Sequence, residues 1–252
     1  MITTIEVKAH LRDVMEIGEG PTNILILGSC RCVPYINYLN RCNLTKGDLY
    51  KIFVIEPNNY HWNEQYIPVN LEEELTKLET NERILSVLRS TKIFIHEHYA
   101  NFGMFNTSKD ELKNIYQFGI NPDMDIAIPN WHDHMILEND YTAYGATAPD
   151  DYIEKGESEI EKFCAVCKLS SFPEFADYFR DNWRTTRFFW RPNHISSAFS
   201  IYIFRRMNSR FLNLTLTDDF WNTAKQEDLF SYPCTQVTQQ DRDGYKITWR
   251  KT

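Results

Sequence analysis

The sequence predicts an α/β fold in which helices flank a mostly parallel β-sheet. Apolar runs alternate with helical patterns along the first half of the chain, which is the order of strand–helix–strand units. Each apolar run also ends in polar, chemically reactive side chains, among them Arg31 and Glu97, and the carboxyl ends of parallel strands are expected to converge on one edge of the sheet. The 252 residues are predicted to form one α/β domain, strand-rich over 20–135 and helix-rich over 150–215, with a C-terminal arm over 220–252.

Four short apolar runs predict the strands, and they cover residues 23–27, 50–57, 91–99 and 124–132. Apolar residues at helical spacing and local start and stop signals predict helices over residues 33–41, 71–90, 110–119, 150–168 and 196–211. Phe199, Ile203 and Met207 recur every four residues and predict one buried helix face. The C-terminal stretch DRDGYKITWR predicts a hairpin or an extended arm around Asp243-Gly244.

Composition narrows the class of protein. The net charge of −8 and the pI of about 5.4 indicate no general attraction to nucleic acid or to anionic membranes. The sequence has no apolar run long enough to predict a transmembrane helix, and its N-terminus lacks the apolar core of a signal peptide. We therefore expect a cytoplasmic protein with reduced cysteines. Cys164 and Cys167 have zinc-knuckle spacing, but without a second such pair we expect two partly buried thiols on a helix.

The first predicted strand ends abruptly in Gly28-Ser29-Cys30-Arg31, and a helix follows. Glycine permits the tight turn that this transition needs. Backbone N–H groups and the helix N-terminus then surround the reactive atom, which lowers the pKa of a thiol and stabilises an oxyanion. Either Ser29 or Cys30 fits the role of nucleophile, although a cysteine after a buried strand is also common as inert core.

A nucleophile needs a base, and His194 in the segment RPNHISS is the best candidate. The alternative for this lone histidine is a surface or capping role. Two further pairs, His96 with His98 and His132 with His134, would each place two rings on one face of a strand. Spacing marks no third ligand for either pair, so no metal site is predicted.

Four blocks of sequence resemble a known family when they are taken together and in order. They are ILGSCR, STKIFIHEHYANF, IAIPNWH and RTTRFFWRPNHISSAF, and they span roughly residues 23–200. The chain is similar in these blocks to the WcbI-type polysaccharide-biosynthesis family, named for a bacterial capsule acetyltransferase. The family reads Gly-Asn-Cys-Gln where this chain has Gly28-Ser29-Cys30-Arg31, and it has glutamine at or near Glu97. Asn193 and His194 match the family, with Ile195 in place of its proline.

The resemblance implies a Rossmann-like or SGNH-like three-layer fold that binds coenzyme A or acetyl-coenzyme A. It implies Cys30 as nucleophile or oxyanion-site residue and His194 as base, with Ser29 and Glu97 as further catalytic candidates. Guanidinium groups bind phosphates through paired hydrogen bonds, so arginines are expected to hold the cofactor. The expected cofactor-binding residues are Gly28, Arg31, Arg184, Arg187, Arg191 and Asn193, and the expected substrate-binding residues are Asn130 and His132. Each arginine has the alternative of pairing with the many acidic residues.

Three classes of function follow from these residues. The first is coenzyme A-dependent O-acyl transfer to a sugar or polysaccharide hydroxyl, with His194 as base and the Gly28–Arg31 turn holding the oxyanion. The second is an SGNH-like ester hydrolase that uses Ser29, although the aspartate expected shortly before the histidine of such enzymes is missing. The third is a non-catalytic protein that binds a carbohydrate or a nucleotide.

Overall fold

The structure is a computed structural model, and it describes residues 15–28, 30–55, 82–98, 119–129, 135–143, 145–191, 194–226 and 237–249. The contacts of the chain group it into two compact units, 1–126 and 127–252. Among the described helices, none combines the length and the apolar character that crossing a membrane requires.

A five-stranded sheet of order β1-β3-β2-β4-β5 organises the first part of the chain. Its strands are β1 (Met15–Ile17), β2 (Thr22–Leu27), β3 (Tyr50–Ile55), β4 (Ile93–His98) and β5 (Met124–Pro129), with helices α1 (Val33–Lys46) and α2 (Glu82–Ser90). Ile24 of β2 lies opposite Ile52 of β3 and Ile93 of β4, and both pairings are parallel. The predicted α/β fold with a mostly parallel sheet is therefore confirmed, and all four predicted strands belong to it.

The strand β1 was not predicted from the sequence. It runs antiparallel to β3 at one edge, which makes the sheet mixed. Residues 110–118 of the predicted helix over 110–119 and the first part of the one over 71–90 lie outside the described residues.

The central strand is covered on both of its faces. Ile24, Leu25 and Ile26 point to alternate faces of the sheet, yet none of them is more than 1% exposed. Strands that are buried on both sides read as continuous apolar runs, which is why β2 could be recognised from its composition.

Asn43 near the end of α1 closes the connection to β3. Its Oδ1 atom accepts hydrogen bonds from the backbone N–H groups of Leu49 (3.1 Å) and Tyr50 (2.9 Å). Its Nδ2 atom donates to the Tyr50 carbonyl at 2.8 Å. This buried amide fixes the start of β3 relative to the helix that precedes it.

The second unit is mostly helical. Its elements are α3 (Glu138–Ala143), α4 (Tyr152–Leu169), α5 (Phe175–Asn182), β6 (Phe189–Arg191), β7 (His194–Ile195), α6 (Ser197–Met207), a π-helical turn (Asn208–Leu212), α7 (Asp218–Gln226) and α8 (Gln239–Tyr245). Aromatic rings fill its core. The Phe175 and Phe199 ring centroids lie 4.6 Å apart, and those of Phe163 and Phe179 lie 4.8 Å apart.

The predicted helix after Pro192 is confirmed as α6 and the π-helical turn that continues it. Phe199, Ile203 and Met207 are all buried, so the predicted apolar face is correct. Ser196 caps the helix, and its side chain accepts a hydrogen bond from the Phe199 N–H. The same hydroxyl donates to the Arg187 carbonyl at 2.7 Å, which attaches the start of α6 to the segment before β6.

The prediction of a hairpin or extended arm around Asp243-Gly244 is wrong, because these residues lie inside helix α8. Thr238 and Asp241 form a reciprocal cap in which each side chain accepts a hydrogen bond from the other's backbone N–H. A Cβ atom on Gly244 would overlap the Ile153 side chain of α4. The glycine therefore serves a close approach between helices rather than a turn.

Asp140 in α3 is a buried acid with an altered pKa. Its Oδ2 atom accepts hydrogen bonds from the N–H groups of Ile136 (3.1 Å) and Leu137 (2.9 Å). Removal from water is the largest influence and raises the pKa from 3.8 to about 6, while the two hydrogen bonds oppose the rise. The nearby charge of Asp241 adds to the rise.

We expect Asp140→Asn to remove a pH-dependent loss of stability. Because burial raises the folded-state pKa to about 6, the contribution of Asp140 is fully present below about pH 4 and is lost as the pH rises through 6. A shift of about two pKa units corresponds to about 3 kcal/mol. Asparagine keeps an acceptor for the two N–H groups, so the stability of the variant relative to wild type should rise by up to that amount between pH 4 and 7.

Urea unfolding at several pH values measures this difference. Asp177→Asn is the control for the substitution itself, because that side chain is 73% exposed rather than buried. Parallel profiles for Asp140→Asn and wild type would contradict the prediction.

Candidate functional site

The turn after β2 is the best-defined part of the candidate site. Gly28 directly follows the strand, a short 3₁₀ turn covers Cys30–Cys32, and α1 begins at the next residue. A Cβ atom on Gly28 would overlap the Cys32 sulfur and lie 3.0 Å from Glu97 Oε1. Glycine is therefore required by close packing at the place where the sequence predicted a tight turn.

Two opposite charges are buried beside this turn. Arg31 Nη1 lies 3.6 Å from Glu97 Oε2, and the two side chains are only 7% and 2% exposed. The Cys32 thiol donates a hydrogen bond to Glu97 Oε1, with a sulfur–oxygen distance of 3.6 Å. The parallel register places Leu27 opposite His96, so the residues that follow, Gly28 and Glu97, are neighbours. Two residues predicted to meet at the carboxyl edge of the sheet, Arg31 and Glu97, are brought together.

Tyr35, in the first turn of α1, adds a hydroxyl to the same region. The residue is 1% exposed, and its hydroxyl has no hydrogen-bond partner among the residues that the structure describes. Burial raises the pKa of its phenol well above 10, and the neighbouring Cys32, Tyr38 and Glu97 add to the rise. An unmet buried hydroxyl costs about 1–3 kcal/mol. We call Gly28, Arg31, Cys32, Tyr35 and Glu97 the strand-end cluster.

His96 lies on the opposite side of β4 from Glu97 and makes a separate set of contacts. Its Nε2 atom is 3.0 Å from Asp125 Oδ1, and its Nδ1 atom is 3.1 Å from the Glu97 carbonyl oxygen. Both ring nitrogens therefore face protein oxygens, which ties β4 to β5. In the described part of the chain, no group of three or more histidine, cysteine, aspartate or glutamate side chains could hold a metal ion.

His194, the predicted base, lies in the second unit on strand β7. The short antiparallel pair of β6 and β7 places it opposite Arg191, and its side chain is half-buried. Cys30 belongs to the first unit, where it begins the 3₁₀ turn. The candidate residues outside the described part of the chain are Ser29, Asn130, His132 and Asn193, together with the side chains of Cys30 and Arg191.

The predicted phosphate-binding arginines of the second unit make contacts within the protein. Arg184 donates to the Tyr245 carbonyl and to Glu157 Oε1, each at 2.9 Å. Arg187 donates to the carbonyls of Phe189 and Trp190, at 3.1 and 3.3 Å.

Aromatic rings also lie against these guanidinium groups. The guanidinium of Arg187 lies 4.3 Å from the Trp190 ring centroid and 5.1 Å from that of Trp249. The guanidinium of Arg184 lies 4.3 Å from the Trp183 ring centroid. Arginine and tryptophan side chains of this unit thus stack on each other.

Cys164 and Cys167 are fully buried free thiols on α4. The Cys164 sulfur donates to the Ala176 carbonyl at 3.4 Å. Burial raises the pKa of Cys164 to about 11 and that of Cys167 well above its ordinary 9. The expected pair of thiols on a helix face is present, and both thiols are more deeply buried than predicted.

Sequence reasoning missed Cys32 and Tyr35. It singled out Cys30 as a candidate and did not consider Cys32, whose thiol donates a hydrogen bond to Glu97. Cys32 and Tyr35 are three residues apart at the start of a helix, a spacing that places side chains on one face. That spacing was the available signal. Comparisons of the chain with family models, with curated proteins and with solved structures find no match.

Glu97→Gln should be strongly destabilising. The substitution leaves the buried Arg31 charge without its carboxylate at 3.6 Å, and breaking a buried pair in this way costs about 3–5 kcal/mol. Chemical denaturation measures the loss. The double variant Arg31→Gln/Glu97→Gln should lose less than the sum of the two single variants, because the second substitution removes a charge whose opposite charge in the pair is already gone.

Glu161→Gln is the matched control, because it also replaces a glutamate that pairs with an arginine. The Glu161 side chain is 62% exposed and pairs with Arg180, so the expected loss is under about 1 kcal/mol. If Glu97→Gln were as mild as Glu161→Gln, the buried pair would not have the role given to it here.

Proposed function

We propose that this protein is a coenzyme A-dependent O-acyltransferase that acts on a sugar or polysaccharide hydroxyl. The observation that supports the proposal is the strand-end cluster. A glycine with no room for a side chain, a 3₁₀ turn and the start of α1 follow one another after β2. Unpaired N–H groups at the start of a helix favour negative charge, whether on a thiolate or on an oxyanion.

The charges around the turn fit this chemistry. Acyl transfer develops negative charge on a carbonyl oxygen, and N–H donors fixed in advance stabilise that charge. Arg31 supplies a buried positive charge beside the turn, and Glu97 balances it. The pairing holds the guanidinium in one place, which is what a site that stabilises a transient charge requires.

Each catalytic side chain has a proposed role. The Cys30 thiolate attacks the acyl carbonyl of the donor, and the sulfur of coenzyme A leaves with a proton from His194. The acceptor hydroxyl then loses its proton to His194 as its oxygen attacks the Cys30 thioester, which regenerates the thiolate. Arg184, Arg187 and Arg191 would contact the cofactor phosphates, in which case Arg184 and Arg187 exchange some of their present contacts for the ligand.

Acetyl-coenzyme A and a panel of sugar acceptors test the proposal. Wild-type protein should bind coenzyme A in calorimetry and should release free coenzyme A from acetyl-coenzyme A when an acceptor is present. Cys30→Ala and His194→Ala should each abolish the release, whereas Ser29→Ala should leave part of it. Cys42→Ala, which removes a buried thiol from α1, is the control and should keep the activity.

The other outcomes separate the competing functions. An inactive Ser29→Ala with an active Cys30→Ala, together with ester cleavage that needs no acceptor, would favour the hydrolase. Binding of coenzyme A without transfer would favour a binding protein. No binding at millimolar coenzyme A would refute the proposal.

Thiol labelling gives a second prediction. Iodoacetamide reacts with thiolates, and burial raises the pKa of Cys164 to about 11, so at pH 7 almost none of that thiol is ionised. Cys30 at the start of a helix should therefore be labelled faster than Cys164 or Cys167. Coenzyme A should protect it, as mass spectrometry of the labelled peptides would show. Equal labelling rates for the three thiols would be inconsistent with an activated Cys30.

A further inference from the structure

The hydroxyl of Tyr35 differs from that of Tyr245, another deeply buried phenol. The buried Tyr152 hydroxyl in the second unit also lacks a partner among the described residues, so what singles out Tyr35 is its place beside Cys32 and Glu97 at the strand end. Tyr245 is 0% exposed, and its hydroxyl donates toward two carbonyl oxygens, those of Ile136 and Tyr152. Tyr35 is 1% exposed, and its hydroxyl has no such partner among the described residues. A buried polar group without a partner is rare in a folded protein, and a catalytic or ligand-binding role is one of the recognised reasons for it.

The Tyr35 hydroxyl belongs to the strand-end cluster, beside Cys32 and Glu97. Tyr35 is three residues after Cys32 on the first turn of α1, and its ring packs edge-on against Tyr38 with centroids 6.4 Å apart. Glu97, which pairs with Arg31 and accepts from Cys32, is close enough to raise the pKa of the phenol. Because burial and these neighbours oppose ionisation, the phenol keeps its proton at neutral pH and can act only as a hydroxyl.

We propose that the Tyr35 hydroxyl donates a hydrogen bond to the carbonyl or carboxylate oxygen of a small acyl group bound at the strand-end cluster. The inference rests on the acyl transfer proposed above and adds a specific donor to it. A thioester carbonyl, an ester carbonyl and acetate all present an oxygen of this kind. Free coenzyme A lacks the thioester carbonyl, so it does not use this donor.

Tyr35→Phe tests the proposal, because it removes one oxygen and leaves the ring. A hydroxyl reserved for a ligand contributes nothing to the empty fold, so the unfolding midpoint should stay the same or rise. Affinity for acetyl-coenzyme A should fall roughly tenfold, the loss expected for one hydrogen bond. Affinity for free coenzyme A should not change. Tyr38→Phe, on the same helix and also buried, is the control and should affect the two ligands equally.

Two results would overturn the inference. One is a lower unfolding midpoint for Tyr35→Phe with unchanged binding, which would show that the hydroxyl serves the fold. The other is a variant that binds both ligands as wild type does, or that loses affinity for both equally.

Acetate separates failure of this inference from failure of the proposed function. If wild type binds neither form of coenzyme A, the proposed function is wrong. The inference then stands only if acetate, compared with chloride at equal ionic strength, raises the unfolding midpoint of wild type and not that of Tyr35→Phe. Absence of that difference would overturn it.

Discussion

The buried pairing of Arg31 with Glu97 is the constraint on which the site in the first unit depends. A charge removed from water is tolerated only when an opposite charge and hydrogen bonds replace the solvent. The two side chains come from residues 66 positions apart in sequence, after β2 and within β4, so the pair requires the parallel register of those strands. Gly28 lets the chains approach closely enough for Glu97 to fit beneath the turn. Sheet, turn and helix start are therefore linked through one carboxylate.

The second unit uses its charges differently. Its arginines lie on aromatic rings and donate to backbone carbonyls, as Arg187 does at Trp190. Such hydrogen bonds satisfy backbone carbonyl groups in a part of the chain that has little regular structure, since β6 and β7 have only three and two residues. The basic and aromatic composition from which cofactor binding was predicted thus has a structural role in this unit.

Sequence alone predicted four of the strands because each contains a short apolar run, and in the central strand β2 that run is continuous because both of its faces are buried. It also predicted that Arg31 and Glu97 would lie at one edge of the sheet, since parallel strands end together. It could not predict their contact, which depends on side-chain direction and on the packing of Gly28.

The errors have equally local causes. The strand β1 has three residues and no apolar run to mark it. The dipeptide Asp243-Gly244 is typical of a turn, and the prediction rested on those two residues alone. It took no account of the helix cap that Thr238 and Asp241 form a few residues earlier. Tyr35 escaped notice because a tyrosine on a helix usually belongs to the core, and only the hydrogen-bond partners of its hydroxyl distinguish it.

The short strand β1 limits aggregation of the protein through one edge of its sheet. An uncovered sheet edge offers a row of N–H and C=O groups on which a foreign strand can pair, and such pairing begins aggregation. Here the backbone of β1 occupies that row on β3 with Met15 opposite Val54 and Ile17 opposite Ile52. Its own outer edge is only three residues long and has Glu16 at its centre, whose carboxylate binds Arg83 at 2.8 Å and Lys51 at 3.2 Å. A short edge with a fixed charge is a poor template, so this strand protects the β3 side of the sheet against polymerisation by strand addition.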